Sequence, residues 1–168
     1  MLYEPRVFSL ARIFPSLRYN ARFCLASILA RKYTSSMQKV KNHENFKVFR
    51  SKAGFGLLTK KPFRKGEFVI EYIGIKKPNK EVEENTTKYL FDLDNGYTID
   101  GSPRYNIARY INHSCVPNCE VDIVKGRIII TAIKKIEAGD EIAYDYGKEY
   151  FNEFIKPLGC RCPKHLKK

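Results

Sequence analysis

The chain has 168 residues, 43% of them hydrophobic and 13% aromatic, a balance that supports one folded core and excludes a disordered chain. No apolar run reaches the roughly 18 residues a membrane-spanning helix needs. The net charge of +13 is uneven: residues 1–42 hold eight Lys/Arg against the single acid Glu4, which leaves +6 for the rest, weak grounds for a nucleic-acid binder and better suited to an acidic or basic-tailed partner reached through a local patch.

In chain order, residues 1–36 stand apart as an extension. Residues 1–33 carry six Arg/Lys and one acid with apolar residues between them, as in "SLRYNARFCLASILARKY", the composition of a mitochondrial presequence. "RKYTSS" resembles a matrix-protease site with cleavage after Tyr33. Met37 opens "MQKVKNHENFKVFRSKAGFG", which also reads as a natural start. An over-called upstream start and a basic functional arm therefore stand beside targeting. The compartment follows that choice: mitochondrion if the segment is a presequence, otherwise cytoplasm or nucleus, or, in a bacterium, cytoplasm or a secreted effector.

The body reads as short strands. "FKVFRS" alternates as a strand does. "KAGFGLLTKKPFRKGEFVIEYIG" gives a Gly-containing turn, a short strand, a Pro/Gly turn and an apolar strand ending at Gly74. "KKPNKEVEENTTK" is polar, a loop with a helical turn. "YLFDLDNGYTIDG" is a hairpin signal around Asn95-Gly96, the dipeptide that favours a type I′ turn. "SPRYNIARYINHS" predicts a short helix. "CEVDIVKGRIIITAIKKIEAGDEIAYDYG" predicts two strands around Lys125-Gly126, an "EAGD" turn and a last short strand. The fold class is mostly β, built of small sheets.

Within this frame "YINHSCVPNC", residues 110–119, crowds polar and metal-binding side chains beside a proline turn. Read alone, it allows a metal site, a Cys-His nucleophile pair or a pocket-building turn. His113 and Cys115 lie two residues apart with no accompanying carboxylate signature, which weighs against the nucleophile pair. The five cysteines are an odd number, and Cys160 and Cys162 sit beside His165, which reads as metal chemistry in a reducing compartment rather than a disulfide framework.

Several separated motifs fall into one order: "GFG" after a basic strand, "EYIG", "YLFDLD", "ARYINHSCVPNC", "EAGDEIAYDYG" and a terminal "GCRCPKH". Together they resemble a SET-domain protein-lysine N-methyltransferase over roughly residues 43–168, with the SET domain at 43–147 and a post-SET tail at 148–168. No Cys-rich pre-SET segment precedes Lys47. The resemblance implies small curled β-sheets with a C-terminal pseudoknot, in which the "NHSC" segment passes through a loop closed by the segment carrying "YDY", an exception to unthreaded connections. It also implies methyl transfer from S-adenosylmethionine to a lysine of a protein substrate such as a histone tail, with no membrane role and nucleic acid met only through chromatin. A catalytically silent SET-fold binding or scaffold protein is the alternative.

The resemblance carries roles over to particular residues. Gly54, Phe55 and Gly56 would line the cofactor through main chain. Asn112 would hold its amino group and backbone at His113 its adenine. Tyr146 would be the catalytic tyrosine, in contact with the cofactor, and Tyr89 would face it across the lysine channel. Tyr144 stands where the family carries Phe or Tyr; a hydroxyl there implies a monomethylation preference. Arg109 is expected to be structural or bound to a nearby carboxylate, and Glu141 and Asp145 to serve the strand and turn. Cys160, Cys162 and His165, with Cys115 as fourth ligand, resemble the post-SET zinc cluster. The family's usual last cysteine falls on Lys167, so His165, Cys119 or no zinc at all are the open outcomes. "YFNEFIKPLG" would give the cofactor aromatic cover. Glu81, Glu83 and Glu84 either favour a basic peptide or form a solvated acidic loop.

Overall fold

Antiparallel pairing between chain neighbours builds most of the architecture. The computed structural model describes residues 42–51, 53–82 and 88–166. The expected extension at 1–36 and the acidic pair Glu83 and Glu84 lie outside the described residues. Strands β1 (Phe46–Ser51) and β2 (Gly54–Thr59) form a hairpin in register from Phe46↔Thr59 to Ser51↔Gly54. In a second sheet β9 (Arg127–Ala132) lies between β3 (Phe68–Tyr72) and β8 (Cys119–Val124). The third has β6 (Tyr97–Asp100) between β4 (Ile75–Pro78) and β5 (Leu90–Asp92). The fourth is the shortest: β7 (Asn112–His113) pairs in parallel with β10 (Ala143–Tyr144), which sets the "NHSC" segment beside the one carrying "YDY".

The core explains why "RIIITA" is apolar without alternation. Strand β9 is central and covered on both faces, so Ile128, Ile129 and Ile130 are all buried. Its edge partner β8 keeps the alternation of a half-exposed strand. Leu57, Ile111, Ile136 and Ile142 complete the buried centre, and truncating any one of them to Ala costs about 2–5 kcal/mol.

Two hairpin turns exchange the roles expected of them. Leu93 N–H bonds the Tyr97 carbonyl at 2.9 Å, so the β5–β6 loop is the three residues Asp94–Gly96, with positive φ at Asp94 and Gly96 rather than a two-residue turn on Asn95-Gly96. Asp94 takes the left-handed position because its N–H is satisfied by Asp92 Oδ1 at 2.8 Å. The type I′ geometry appears instead at Lys125-Gly126, where φ is 52° and 73° between the paired residues Val124 and Arg127.

The polar stretch after Gly74 begins as strand β4, before one helical turn, Asn79–Val82. Its lysines hide it from pattern reading, yet Lys77 Nζ lies 2.9 Å from Asp100 Oδ2 across the β4–β6 ladder. Pro78 ends the edge strand, where a missing N–H costs nothing. The expected short helix before "NHSC" is a 3-10 turn, Ile107–Tyr110. "YFNEFIKPLG" is helical, in consecutive α, π and 3-10 turns from Lys148 to Leu158.

Candidate active site

Strands β7 and β10 are only two residues long, yet a dense set of bonds holds them together. Ser114 N–H donates to the Tyr144 carbonyl at 3.0 Å and Asn118 N–H to the Ala143 carbonyl at 3.1 Å. The Asn118 carboxamide closes the pair, donating to the Glu141 carbonyl at 2.8 Å and accepting from Ala143 N–H at 2.9 Å. This side chain, which motif reading left without a role, locks "NHSC" against "YDY".

Asn112 projects from β7 into a polar node. Its Nδ2 donates to Glu141 Oε1 at 2.8 Å, the Phe55 carbonyl at 3.1 Å and Ser51 Oγ at 3.1 Å. Its Oδ1 makes no hydrogen bond to a described residue, so the acceptor end stays available. Glu141 serves more than the turn, because it orients Asn112. The glycines of "GFG" also have assignable causes. Gly54 has a φ of +122°, and a Cβ at Gly56 would stand 2.5 Å from both Glu141 Oε1 and Phe49 Cε1. The close approach at Gly56 is thus to the node itself. Phe55 is exposed and meets the Tyr110 ring edge-on at 6.0 Å.

Asn112 and His113 line a cleft of about 690 Å³ together with Ser51, Ala53, Arg161 and Cys162. Gly54, Phe55 and Gly56 border it through the Asn112 bond without lining it. Beside the cleft lies an aromatic cage. Tyr144 and Tyr146 have ring centroids 4.9 Å apart, and Tyr150 meets Tyr146 at 5.1 Å. Tyr72, which sequence reading missed, donates its hydroxyl to the Tyr89 carbonyl at 2.8 Å and so fixes the residue expected across the channel. Gly101 makes room for it, since any Cβ there would run into the Tyr72 ring.

The cage phenols are neutral. Burial, and then the neighbouring phenols Tyr144, Tyr150, Tyr72 and Tyr89, push Tyr146 well above the ordinary tyrosine range; burial does the same to Tyr144. Tyr146 Oη donates to the Ile111 carbonyl at 2.6 Å, which spends its proton and leaves its lone pairs free. Arg109 is not paired with a carboxylate: its guanidinium stacks 3.7 Å from the Tyr89 centroid and donates to the Ser102 carbonyl.

His113 joins the cage to the cysteines. Its Nδ1 accepts the Tyr146 backbone N–H at 3.2 Å, and its Nε2 lies 3.2 Å from Cys115 Sγ. Burial lowers its pKa. The neutral ring therefore carries its proton on Nε2, facing sulfur. Phe151, from the helical tail, packs on the same ring with centroids 5.3 Å apart.

Cys115, Cys160, Cys162 and His165 bring their ligand atoms within 4.8 Å of one another. The edge from Cys115 Sγ to Cys160 Sγ is 3.8 Å and that from Cys162 Sγ to His165 Nδ1 is 3.3 Å. A tetrahedral zinc ion with bonds of ~2.3 Å to sulfur and ~2.0 Å to nitrogen sets edges of about 3.8 and 3.5 Å, so the donor set fits. Its protonation is that of a site wanting a cation. Burial and the neighbouring thiols push Cys115 up to about 12. At Cys162 burial is outweighed by hydrogen bonds from the Cys115 backbone and His165, which bring it down to about 6. Of the alternatives for the fourth place, His165 joins the cluster, while Cys119 is buried on β8 against the core, its thiol pushed up to about 12 by burial and by Glu120.

Comparison with known sequences meets this geometry from another side. The SET-domain family model matches residues 54–147, which is β2 through the "YDYG" segment. Histone-lysine N-methyltransferase ATXR7 of Arabidopsis thaliana is 36% identical over 152 residues, covering 83% of this chain and 10% of its own length. Histone-lysine N-methyltransferase ash1 of Drosophila melanogaster is 37% identical over 121 residues, 65% of this chain and 5% of its own. An H3 lysine-4 specific histone-lysine N-methyltransferase of Eremothecium gossypii is 36% identical over 121 residues, 64% of this chain and 12% of its own. The chain thus spans about a tenth or less of the length of these relatives, and the family match takes in Asn112, Glu141, Tyr144, Tyr146 and the paired β7 and β10. With more than half its residues matched and its sheets arranged around that pair, the chain belongs to the SET-domain family.

Proposed function

We propose that the chain is an S-adenosylmethionine-dependent protein-lysine N-methyltransferase. The observation that carries the reading is the juxtaposition of a neutral tyrosine cage with a node whose Asn112 lines the adjoining cleft and spends its carboxamide nitrogen, not its oxygen, on the protein. That oxygen suits the cofactor's ammonium, backbone at His113 suits the adenine edge, and Arg50 and Arg161, which line the same cleft, suit its carboxylate. When bound, the cofactor supplies an electrophilic methyl group on a sulfonium.

The cage receives the lysine side chain. Aromatic walls at Tyr89, Tyr144 and Tyr146 pack its methylenes and attract a cationic or methylated amine. The amine gives its proton to water. The bound cofactor would supply its methyl group to the amine's lone pair and leave as the neutral thioether. Tyr146 is not the base, because its own proton is buried and bonded to Ile111. Its free lone pairs would serve a methyl group brought beside them as weak C–H acceptors and help to align the transfer. Tyr144 restricts the space left for methyl groups, and the preferred product is monomethyl-lysine.

Zinc at Cys115, Cys160, Cys162 and His165 fastens the helical tail over the site, where Tyr150 and Phe151 touch Tyr146 and His113. The substrate is a basic protein segment such as a histone tail; the relatives' names and the exposed Glu81 both favour it.

The test is transfer of labelled methyl from S-adenosylmethionine to a panel of histones and lysate proteins by the full chain, beside Tyr146→Phe. Label on lysine that the variant loses supports the reading. Absent label with calorimetric cofactor binding intact would favour the silent binding module, and absent cofactor binding would overturn the account of the cleft.

A further inference from the structure

Arg109 is a charge that nothing in the proposed mechanism uses. It rises from the 3-10 turn before β7, and the "RYINHS" spelling gives it no obvious task. Its guanidinium lies 3.7 Å from the Tyr89 centroid and 5.5 Å from that of Tyr110. One nitrogen donates to the Ser102 carbonyl, while the buried Nε has no hydrogen-bond partner. Among the described residues no carboxylate forms an ion pair with it. A guanidinium cannot relieve this by losing its proton. Its full positive charge therefore stands against the Tyr89 ring without a counter-ion among the described residues.

We infer that Arg109 favours the neutral, nucleophilic form of the incoming lysine by placing an uncompensated positive charge beside the cage. This rests on the methyltransferase reading and adds to it a residue for the step that reading leaves to solvent. Among the described residues the cage walls offer no free base: the raised phenols Tyr72, Tyr144, Tyr146 and Tyr150 keep their protons, and the adjoining His113 has Nδ1 engaged by the Tyr146 N–H and Nε2 turned to Cys115. Aromatic walls alone would hold an ammonium, which cannot attack. A nearby cation opposes that preference, because a like charge disfavours the charged form of an amine.

The other charges around the cage do not cancel it. Asp100 is engaged by Lys77 at 2.9 Å and by Ser102 N–H at 3.0 Å. Lys88, 5.3 Å from the Tyr89 ring, adds a second positive charge but is exposed and screened. The field of Arg109 already reaches a cage group: it opposes the burial that raises the Tyr72 phenol, and that hydroxyl is bonded to Tyr89.

The experiment is a titration of a histone H3 amino-terminal peptide carrying ¹³C at the lysine ε-carbon, bound to the full chain with S-adenosylhomocysteine, which has no sulfonium charge. With wild type and Arg109→Lys the lysine is expected to titrate below the free peptide. In Arg109→Gln the midpoint rises by about one pH unit, and the rising limb of kcat against pH, which reports groups in the bound complex, moves with it. Profiles of equal midpoint in Gln and wild type, differing only in height, overturn the inference and leave Arg109 a prop for Tyr89. If the Gln variant fails to fold, wild type decides alone: a bound lysine that titrates at or above the free value overturns it. A wild-type chain that transfers no methyl overturns the methyltransferase reading itself, an outcome distinct from active chains with superimposable profiles.

Discussion

Replacing Asn112 by Asp changes one nitrogen into an oxygen and is expected to break the node at a definable point. Asn112 Nδ2 stands 2.8 Å from Glu141 Oε1 and 3.1 Å from the Phe55 carbonyl. In Asn112→Asp, two carboxylate oxygens face each other across that gap. Two unit charges so placed repel by about 6 kcal/mol at an effective dielectric of ~20. Neither side chain is fully buried, and solvent reduces this to about 3 kcal/mol. The donor lost from the Phe55 carbonyl adds about 1 kcal/mol. The single variant should therefore be destabilised by about 4 kcal/mol at pH 7.5. Adding Glu141→Gln restores a donor opposite the new acceptor and should recover about 3 kcal/mol of it. Urea unfolding of the four chains gives the coupling energy directly, and calorimetry with S-adenosylmethionine on the same four shows whether the node also holds the cofactor. A coupling below about 0.5 kcal/mol, within the noise of independent sites, would refute the contact and the argument built on it.

Three further outcomes are expected. Tyr144→Phe should turn a mainly monomethyl product into di- and trimethyl-lysine by mass spectrometry of a methylated peptide, and an unchanged product distribution would remove Tyr144 from control of methyl number. Cys162→Ser should strip the chain of zinc by elemental analysis while Cys119→Ala leaves it in place; equal loss in both would mean that the ligand set is wrong. Burial raises the Asp100 carboxyl, but bonds from Ser102 and Lys77 outweigh it and hold it below the usual carboxylate range. Its stabilising contribution is then fully present above the unfolded value of ~3.9 and lost as pH falls through the lower folded one. Asp100→Asn should accordingly flatten the fall in the urea midpoint below about pH 4, and an unaltered fall would assign it to other carboxylates.

How far the sequence carries depends on what each residue answers to. Strands β1, β3, β8 and β9 are legible because burial imposes their pattern: alternation on the half-covered β8, a continuous apolar run on the doubly covered β9. Strand β4 is not, because Lys76 and Lys77 are placed by a ladder to β6 and an ion pair with Asp100, both distant in sequence. The turns failed for a related reason. Asn95-Gly96 has the better spelling for type I′, but the register from Leu90↔Asp100 onward leaves three residues to connect, and register outranks dipeptide preference. At the site, motif reading brought out Asn112, His113 and Cys115 through the family resemblance, and Cys160, Cys162 and His165 also through their spacing. It could not bring out Tyr72, Glu141 or Asn118, whose work is to hold other functional groups through single long-range hydrogen bonds.

Those holding contacts explain why "NHSC" and the cysteine tail belong to one device. Within four residues β7 and the bend after it carry the node residue Asn112, the bridging ring of His113 and the thiol of Cys115. The imidazole touches both sides, taking the Tyr146 backbone N–H on Nδ1 and turning Nε2 toward Cys115 sulfur. With zinc in the cluster, a ring so placed would act as the outer-sphere donor that orients Cys115 as a thiolate ligand. Removing that metal would free Cys115, and with it one of the two hydrogen-bond contacts on the His113 ring. The sheets themselves depend on β9 and its isoleucines, far from the cluster in the chain. Chelation should therefore suppress methyl transfer at concentrations that leave the far-ultraviolet dichroism of the strands unchanged. Simultaneous loss of both signals would mean that the metal holds the fold rather than the site.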